Sequence, residues 1–546
     1  MVEQSNSEIP NWPPKLQGDQ ITSLTAQAID YALSHSITYR PLPLSKEVKP
    51  PQDTTIHAPI SLLPSPFPAH LFEQSQSLQP LYNDLYARIT VDKDFLRKII
   101  GGNVVLVDEF QAKLWQLWNK VEQEGIQQSL HLGLFRSDYL LHQEQNNSNS
   151  FTIKQVELNT ISSSFGPLCS RVSELHRYLA RSTGGFFGIS PKLTIDKLPI
   201  NRALETLAGG LAAGHRAYIE RTKAKDAIIL FVVQDGERNA FDQRLIEYQL
   251  LEQHGIIVRR ASLAQLAKSA KLQGDEKRLF LDNANFGKSE EVAVVYFRAG
   301  YGPGDYPTET EWDVRLTLER SLAIKCPTVA LQLAGAKKVQ QVLSNAGVVE
   351  HFVKDSKKGR IWTDEEVQKL RASFMPMYSM GEEDGGEGIR IASDPKTAKD
   401  YVLKPQREGG GNNIYREDIT TALKELEKQD INQGKILGSD GSNRNIKRRE
   451  AYILMKMIEP PTNVGNYLVR YDSANSSSGN VPQAALAPHV ISELGAFGSI
   501  LFEAEQQSTR VVFEQSGGHL LRTKASESNE GGVAAGFSVI DSPVLI

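Results

Sequence analysis

Seven consecutive apolar side chains, Ala227-Ile228-Ile229-Leu230-Phe231-Val232-Val233, constrain the fold more than any other stretch. A strand with one face in water alternates apolar and polar residues, whereas an unbroken run needs cover on both faces, as in a parallel sheet. The following residues supply that cover. A polar loop, Gln234 to Asn239, leads into a helix through Leu245 to Leu251, then a strand at Ile256-Ile257-Val258, a short helix near Leu263 and a buried strand from Val292 to Phe297. This β-α-β alternation predicts an α/β domain over residues 227–336. Ligands of such folds collect at the carboxyl ends of the strands. Glu237, Arg238 and Asn239 after the first strand, and Arg298, Ala299, Gly300 and Tyr301 after the last, therefore become substrate-contact candidates.

A second constraint lies in Tyr401 to Tyr415, Y-V-L-K-P-Q-R-E-G-G-G-N-N-I-Y. Successive glycines lose much conformational entropy on ordering, so they are costly as filler. They suit a loop that approaches a ligand closely and turns several N–H groups toward an anion. Val402-Leu403-Lys404 reads as a short strand feeding the loop, which puts Lys404 beside a bound phosphate. Glu408 would repel phosphate alone, yet suits Mg²⁺ held between its carboxylate and phosphate oxygens. The alternative is a solvated surface turn. The flanking Lys and Glu favour a mobile phosphate-covering loop.

Ile153 to Ile161 alternates as a strand, with Glu157 and Asn159 on one face. A carboxylate and an amide oxygen so placed can form a hard-cation site; an ordinary solvent face is the better account if the pair stands alone. Ser162-Ser163-Ser164-Phe165-Gly166 then offers hydroxyl and N–H groups suited to holding a carboxylate. Elsewhere the periodicity predicts helices through Ile21 to Ala32, from Asp108 to Glu124 with a core-facing stripe, from Thr310 to Ile324, and through Val339 and Leu343. Lys337 and Lys338 form a cationic pair before the last of these, and Tyr452 to Ile458 reads as an apolar strand able to lie against an adenine. Residues 1–18 read as a loose arm, and Pro41 to Pro68 as a passage over the surface or around another domain. Residues 382–387 and the basic 434–449 read as exposed insertions, and 473–485 as low-complexity chain. The closing Gly531-Gly532-Val533-Ala534-Ala535-Gly536, preceded by Arg522 and Lys524, reads as a lid over an anionic substrate.

Composition narrows the chemistry. A net charge of −4 gives no electrostatic case for nucleic acid or membrane surfaces. Two cysteines, Cys169 and Cys326, in no metal-binding spacing argue against zinc and disulfides and for a reducing, cytoplasmic location. The polar N-terminus lacks the basic and apolar regions of a signal peptide. Gly287-Lys288-Ser289 fails the P-loop pattern because Asp282 stands where its first glycine belongs, and Gly300-Tyr301-Gly302-Pro303-Gly304 is not a dinucleotide fingerprint. Carboxylates, cations and glycine loops remain, a set that suits phosphoryl transfer.

Six segments in consistent order then carry a resemblance: K-Q-V-E-L-N-T-I-S-S-S-F-G, F-R-A-G-Y, Q-L-A-G-A-K-K-V-Q-Q, V-L-K-P-Q-R-E-G-G-G-N-N, I-S-E-L-G and H-L-L-R-T-K followed by G-G-V-A-A-G. Together they resemble the eukaryotic glutathione synthetase family from about residue 130 to the C-terminus. The resemblance implies an α/β (α+β) ATP-grasp fold whose two halves clamp ATP, with an inserted parallel α/β substrate domain. Residues 1–226 would be the N-terminal part of the catalytic body, 227–336 the substrate domain, and 337–546 the C-terminal part. That last part would hold a lid at about 380–450, the glycine-rich loop 404–413 and the alanine-rich loop 531–536. A homodimer is implied, joining γ-glutamylcysteine to glycine while converting ATP to ADP and phosphate through an acyl phosphate.

Residue by residue, the resemblance makes Glu157, Asn159 and Glu408 the Mg²⁺ ligands. Around ATP it places Glu157, Lys337, Lys404, Pro405, Gln406, Arg407, Glu408, Gly409, Gly410, Gly411, Asn412 and Asn413. Tyr415, Met455, Lys456, Met457, Ile458, Glu493, Lys524 and Glu530 complete that set, Glu530 standing where relatives lead one to expect aspartate. The peptide substrates would be held by Arg136, Ile161, Ser162, Ser163, Ser164, Glu237, Arg238, Asn239, Gln243, Arg298, Ala299, Gly300, Tyr301, Arg522, Val533 and Ala534. Arg136, Arg522 and Lys404 are the catalytic expectations, the arginines because substrate carboxylates call for bidentate guanidinium partners. Two rivals remain: a homoglutathione synthetase taking β-alanine, against which Val533-Ala534-Ala535 speaks, and a non-catalytic ATP-binding protein, which predicts a lost metal ligand or phosphate lysine.

Overall fold

In the computed structural model the described residues are 9–41, 53–144, 150–283, 288–383, 385–406, 412–433, 446–471, 484–505, 508–528, 533 and 536–546. Three long strands, Leu130–Gln143, Val490–Glu505 and Ser508–Ala525, form the centre of an eight-stranded sheet, flanked on one side by Phe151–Asn159 and on the other by Ser538–Asp541, Ile60–Ser61, Asn466–Val469 and Ala485–Ala487. Neighbours are antiparallel except Ile540 against Ile60. Both faces of the central strands are covered. Helix Ala69–Val91 meets the face of Gly498, where a Cβ would come within 2.8 Å of Gln79 and Asn83. Helix Ala203–Thr222 meets the opposite face at the next residue, Gly210 seating against Ser499 and Leu134. Successive strand residues point to opposite faces, so small residues on both let two helices approach.

The apolar run does form a doubly covered parallel strand. Ile228–Val232 is buried throughout and pairs in parallel with Val258–Ala261 on one side and Val292–Phe297 on the other. The later half of Lys288–Phe297 also pairs in parallel with Ile324–Cys326. Its first half pairs antiparallel with Arg278–Asn283, which pairs with Ala270–Gln273. This extension was not legible, because its residues mix charge with few apolar positions. A third sheet, antiparallel, runs in the order Met377–Ser379, Tyr452–Lys456, Tyr401–Pro405, Ile414–Tyr415. On one face Leu403 and Leu454 pack against helical Ile391, Ile419 and Leu423. On the other, Val402, Ile453 and Met455 meet Leu140 and Val156 of the large sheet.

Several expectations need correction. The arm is packed from residue 9 onward: Ile9, Trp12 and Leu16 are buried, and Trp12 accepts a backbone bond from Gly465 at 2.7 Å. Of the proline-rich passage, residues 42–52 lie outside the described set and 53–55 are exposed, but the second half is core: Ala58 and Ile60 to Phe67 are buried and Ser65–Phe67 pairs with Pro543–Leu545. The helix expected over 310–324 ends at Arg320, because Ile324 is recruited into the parallel sheet. The strand expected at 256–258 runs instead over Val258–Ala261. Arg449, expected in an exposed loop, is buried and donates to the Met380 carbonyl at 3.0 Å. Glu383 of the expected surface insertion turns in to Lys338 at 2.5 Å. Residues 434–445 and 472–483 lie outside the described set. Among the described residues no helix is long and apolar enough to cross a membrane.

Candidate active site

Four adjacent strands of the large sheet place their polar residues in a cross-strand row. Arg522 lies opposite Glu493, Gly495 opposite Asp138, Asp138 opposite Glu157, and Arg136 opposite Asn159. Two carboxylates directly opposite each other repel, and here Asp138 and Glu157 are compensated by cations from other elements. Lys337, at the start of helix Lys337–Ser344, sits with Nζ 2.5 Å from Glu157 Oε2. Lys404, on the site-facing side of Tyr401–Pro405 like Val402, donates to the Val156 carbonyl at 3.1 Å. Burial works against the charge of Glu157, but Lys337, Lys404 and Arg522 overcome it and hold the carboxyl below its ordinary range. For Lys404, burial and the neighbouring Lys337 push the pKa from its ordinary 10.5 to about 8, with Glu157 and Glu493 pulling the other way. Burial raises Glu493, while Arg522 opposes that shift.

The arginines have firm internal partners. Arg136 donates from Nε to Asp138 Oδ1 at 2.7 Å, from Nη2 to Oδ2 at 2.8 Å, and from Nη1 to the Ser164 carbonyl at 3.0 Å. Arg522 donates from Nε to Glu493 at 3.0 Å and from Nη2 to Glu493 and, at 3.3 Å, to Asp138. Their bidentate edges, expected to face substrate carboxylates, are thus engaged within the protein. Asn159 uses its amide nitrogen on Asp138 Oδ2 at 3.0 Å and on the Arg136 carbonyl at 3.2 Å, which leaves its oxygen for a cation.

The serine loop joins this row to the parallel sheet. Arg298, 2 % exposed, donates to Ser164 Oγ at 2.8 Å and to the Ser163 carbonyl at 3.3 Å, with Asp242 3.5 Å away. Asp242 also accepts the Phe165 and Leu168 amides at 2.9 and 3.3 Å, fixing the start of helix Gly166–Ser182. Ile161 is buried beside them, and Ser162 and Phe165 adopt positive φ of 53° and 71°. Glu237 accepts the Asn239 amide at 2.8 Å and the Gln243 side chain at 3.3 Å, and Gln243 in turn accepts Arg260. Arg238 stacks on Tyr39 and bonds the Arg40 carbonyl. Ala299 is buried, and the amides of Gly300 and Tyr301 converge on Asp305 at 2.8 and 3.2 Å. The Tyr301 hydroxyl accepts Gln234 at 3.0 Å.

On the nucleotide side, Met455 and Ile458 join the apolar cluster between the two sheets, with Met457 packed against it and donating its amide to the Asp400 carbonyl at 2.8 Å. Gln406, 2 % exposed, accepts the Lys338 amide at 2.9 Å, and Asn413 donates to the Tyr415 hydroxyl at 3.2 Å. Pro405 and Lys456 end their strands, and Lys524 pairs across to Ile491. Val533 is buried. Arg407, Glu408, Gly409, Gly410, Gly411, Glu530 and Ala534 lie outside the described residues.

Asp138, Gly495, Asp242 and Lys338 escaped the sequence reading as site residues. Gly495 and Lys338 carried a signal, since each stood inside a quoted segment, and Asp138 stood two residues from Arg136; Asp242 sits on a helix with nothing local to mark it. Among the described residues no cluster of three or more His, Cys, Asp or Glu could hold a metal alone. An ionised Glu157 and the Asn159 oxygen nevertheless fit Mg²⁺, which needs only one or two protein carboxylates when phosphates supply other ligands.

A family model described as "Eukaryotic glutathione synthase, ATP binding domain" matches residues 18–545. The chain is 36 % identical to the chloroplastic glutathione synthetase of Arabidopsis thaliana, over 97 % of this chain and 87 % of that one. It is also 36 % identical to the Mus musculus glutathione synthetase, over 98 % and 99 % of the two chains. In fold it is similar to a glutathione synthetase-like effector from Globodera pallida, with a TM-score of 0.69 at 23 % identity, covering 98 % of this chain and 99 % of that one. An ATP-grasp architecture with a carboxylate–lysine row between its sheets, matched by a family model over nearly its whole length, settles the assignment: the chain belongs to the eukaryotic glutathione synthase family of ATP-dependent ligases.

Proposed function

We propose that the chain joins γ-glutamylcysteine to glycine at this row. The observation that carries the reading is the convergence of Lys337 and Lys404 on Glu157, with Arg522 and Asp138 beside them. Two buried cations next to an ionised carboxylate form a site for phosphates that arrive with a divalent metal. Glu157, Asn159 and Glu408 would hold Mg²⁺, which neutralises charge developing on the transferring phosphoryl group.

The chain's own groups do the positioning. Lys337 and Lys404 bind the phosphates in place of water, and the apolar side chains around Met455 and Ile458 receive the adenine. The loop Ser162–Ser164, braced by Arg298, holds the dipeptide so that its cysteine carboxylate oxygen attacks the γ-phosphorus while the bond to ADP breaks. Arg522 Nη1, which neither Glu493 nor Asp138 engages, can meet the resulting acyl phosphate. The glycine amine then attacks the acyl carbon, the tetrahedral centre collapses, phosphate leaves with the bonding electrons, and the amine proton passes to solvent. Residues 227–336 act as the dipeptide side of the cleft and the 404–413 loop as its phosphate cover. We also propose a homodimer, testable by light scattering, and a cytoplasmic site of action, testable by fractionation.

The test is ADP release by purified protein with ATP, Mg²⁺ and γ-glutamylcysteine, adding glycine or β-alanine in parallel. Strong stimulation by glycine is expected. A preference for β-alanine would change the product, and no response to either amine in folded, ATP-binding protein would overturn the catalytic reading.

A further inference from the structure

Asp138 is 1 % exposed and lies in the middle of the row, opposite Gly495 on one neighbouring strand and Glu157 on the other. Its Oδ1 accepts Arg136 Nε at 2.7 Å. Its Oδ2 accepts Arg136 Nη2 at 2.8 Å, Asn159 Nδ2 at 3.0 Å and Arg522 Nη2 at 3.3 Å. Each carboxylate oxygen offers about two lone-pair sites, so Oδ2, with three donors, is fully engaged by the protein.

We infer that Asp138 is a positioning residue that ties the metal-binding amide of Asn159 to the two guanidinium groups on the substrate side, so that both halves of the site are set by one carboxylate. The inference rests on the function proposed above. Asn159 can present its oxygen to a cation only if its nitrogen turns the other way, and Asp138 supplies the acceptor that fixes this orientation. The same oxygen anchors Arg522 from beyond the intervening strand, and Gly495 on that strand makes the room in which Asp138 and Arg136 sit: a Cβ there would lie 2.8 Å from both Arg136 Cδ and Asp138 Oδ1. The glycine of the I-S-E-L-G segment thereby acquires a role that backbone conformation alone does not give it.

The test compares Asp138→Asn with the wild type. The substituted amide turns one acceptor into a donor facing other donors, so at least one side of the arrangement must let go. Outer partners of a metal ligand are typically worth about 10–100-fold in metal affinity or activity. In folded protein we expect kcat to fall about 100-fold and the Mg²⁺ concentration for half-activation to rise about tenfold. Mn²⁺ affinity, read by electron paramagnetic resonance with a non-hydrolysable ATP analogue, should weaken about tenfold in parallel. A purely structural role would lower the melting temperature but leave both metal readouts unmoved; values within threefold of wild type would overturn the inference. If Asp138→Asn does not fold, Gly495→Ala replaces it, since every charged group is retained and only the geometry around Asp138 is crowded. The same direction is expected there, and Mn²⁺ affinity within twofold of wild type would overturn the inference. Glycine-stimulated ADP release by the wild type tests the function separately, because the Mn²⁺ measurement does not depend on turnover.

Discussion

Raising the pH should weaken ATP binding through Lys404. Its side chain is buried, bonded to the Val156 carbonyl at 3.1 Å, and its pKa is pushed down to about 8. Phosphate binds the charged form. With that pKa the free protein carries the charge in about nine-tenths of molecules at pH 7 and about one-tenth at pH 9. A bound polyphosphate holds the proton on, so the apparent Kd should rise about tenfold between these values, with close to one proton taken up per nucleotide at pH 9. Calorimetry of a non-hydrolysable ATP analogue, without glycine and in buffers of different ionisation enthalpy, reads both quantities. The buried thiols do not interfere, since burial pushes Cys169 and Cys326 above this window. Lys404→Arg should bind more weakly overall but with a flat profile, because a guanidinium stays charged throughout. A wild-type Kd unchanged from pH 7 to 9, or the same slope in Lys404→Arg, would refute the assignment of Lys404 to the phosphates.

Three further outcomes follow from the geometry. Arg522→Ala should lower kcat about 10²–10³-fold, the usual loss on removing a transition-state charge partner, and Arg136→Ala should lower it by releasing Asp138 and the Ser164 carbonyl; wild-type turnover in both would refute these roles. Asp242→Ala leaves Arg298 buried without its counter-charge and frees two helix-start amides, so denaturant unfolding should show about 3–5 kcal/mol lost; a change under about 1 kcal/mol would show the pair to be dispensable. Gly335→Ala would put a Cβ 2.3 Å from Thr160 Oγ1, next to Asn159, and should cost about 1–3 kcal/mol by overpacking, read as a lower melting temperature; an unchanged melting temperature would show that Thr160 can move aside.

What the sequence by itself determined was which residues share a face and where strands are buried. The unbroken run Ala227–Val233 dictated a doubly covered parallel strand, and the alternation around Glu157 and Asn159 dictated a polar face at one strand end, because side-chain period is a local property of the backbone. Where the pattern misled, as at residues 9–16 and 58–67, short apolar groups among prolines were recruited into the core by chain far away. Only the tertiary structure decided what fills the space opposite each polar face. Lys337 reaches Glu157 across 180 residues and Arg522 reaches Asp138 across 384. Burial makes an uncompensated charge costly, yet it does not say which distant cation compensates it. Sheet order brings those strands together, and it makes Asp138 the centre of the row and leaves room for no side chain at Gly495.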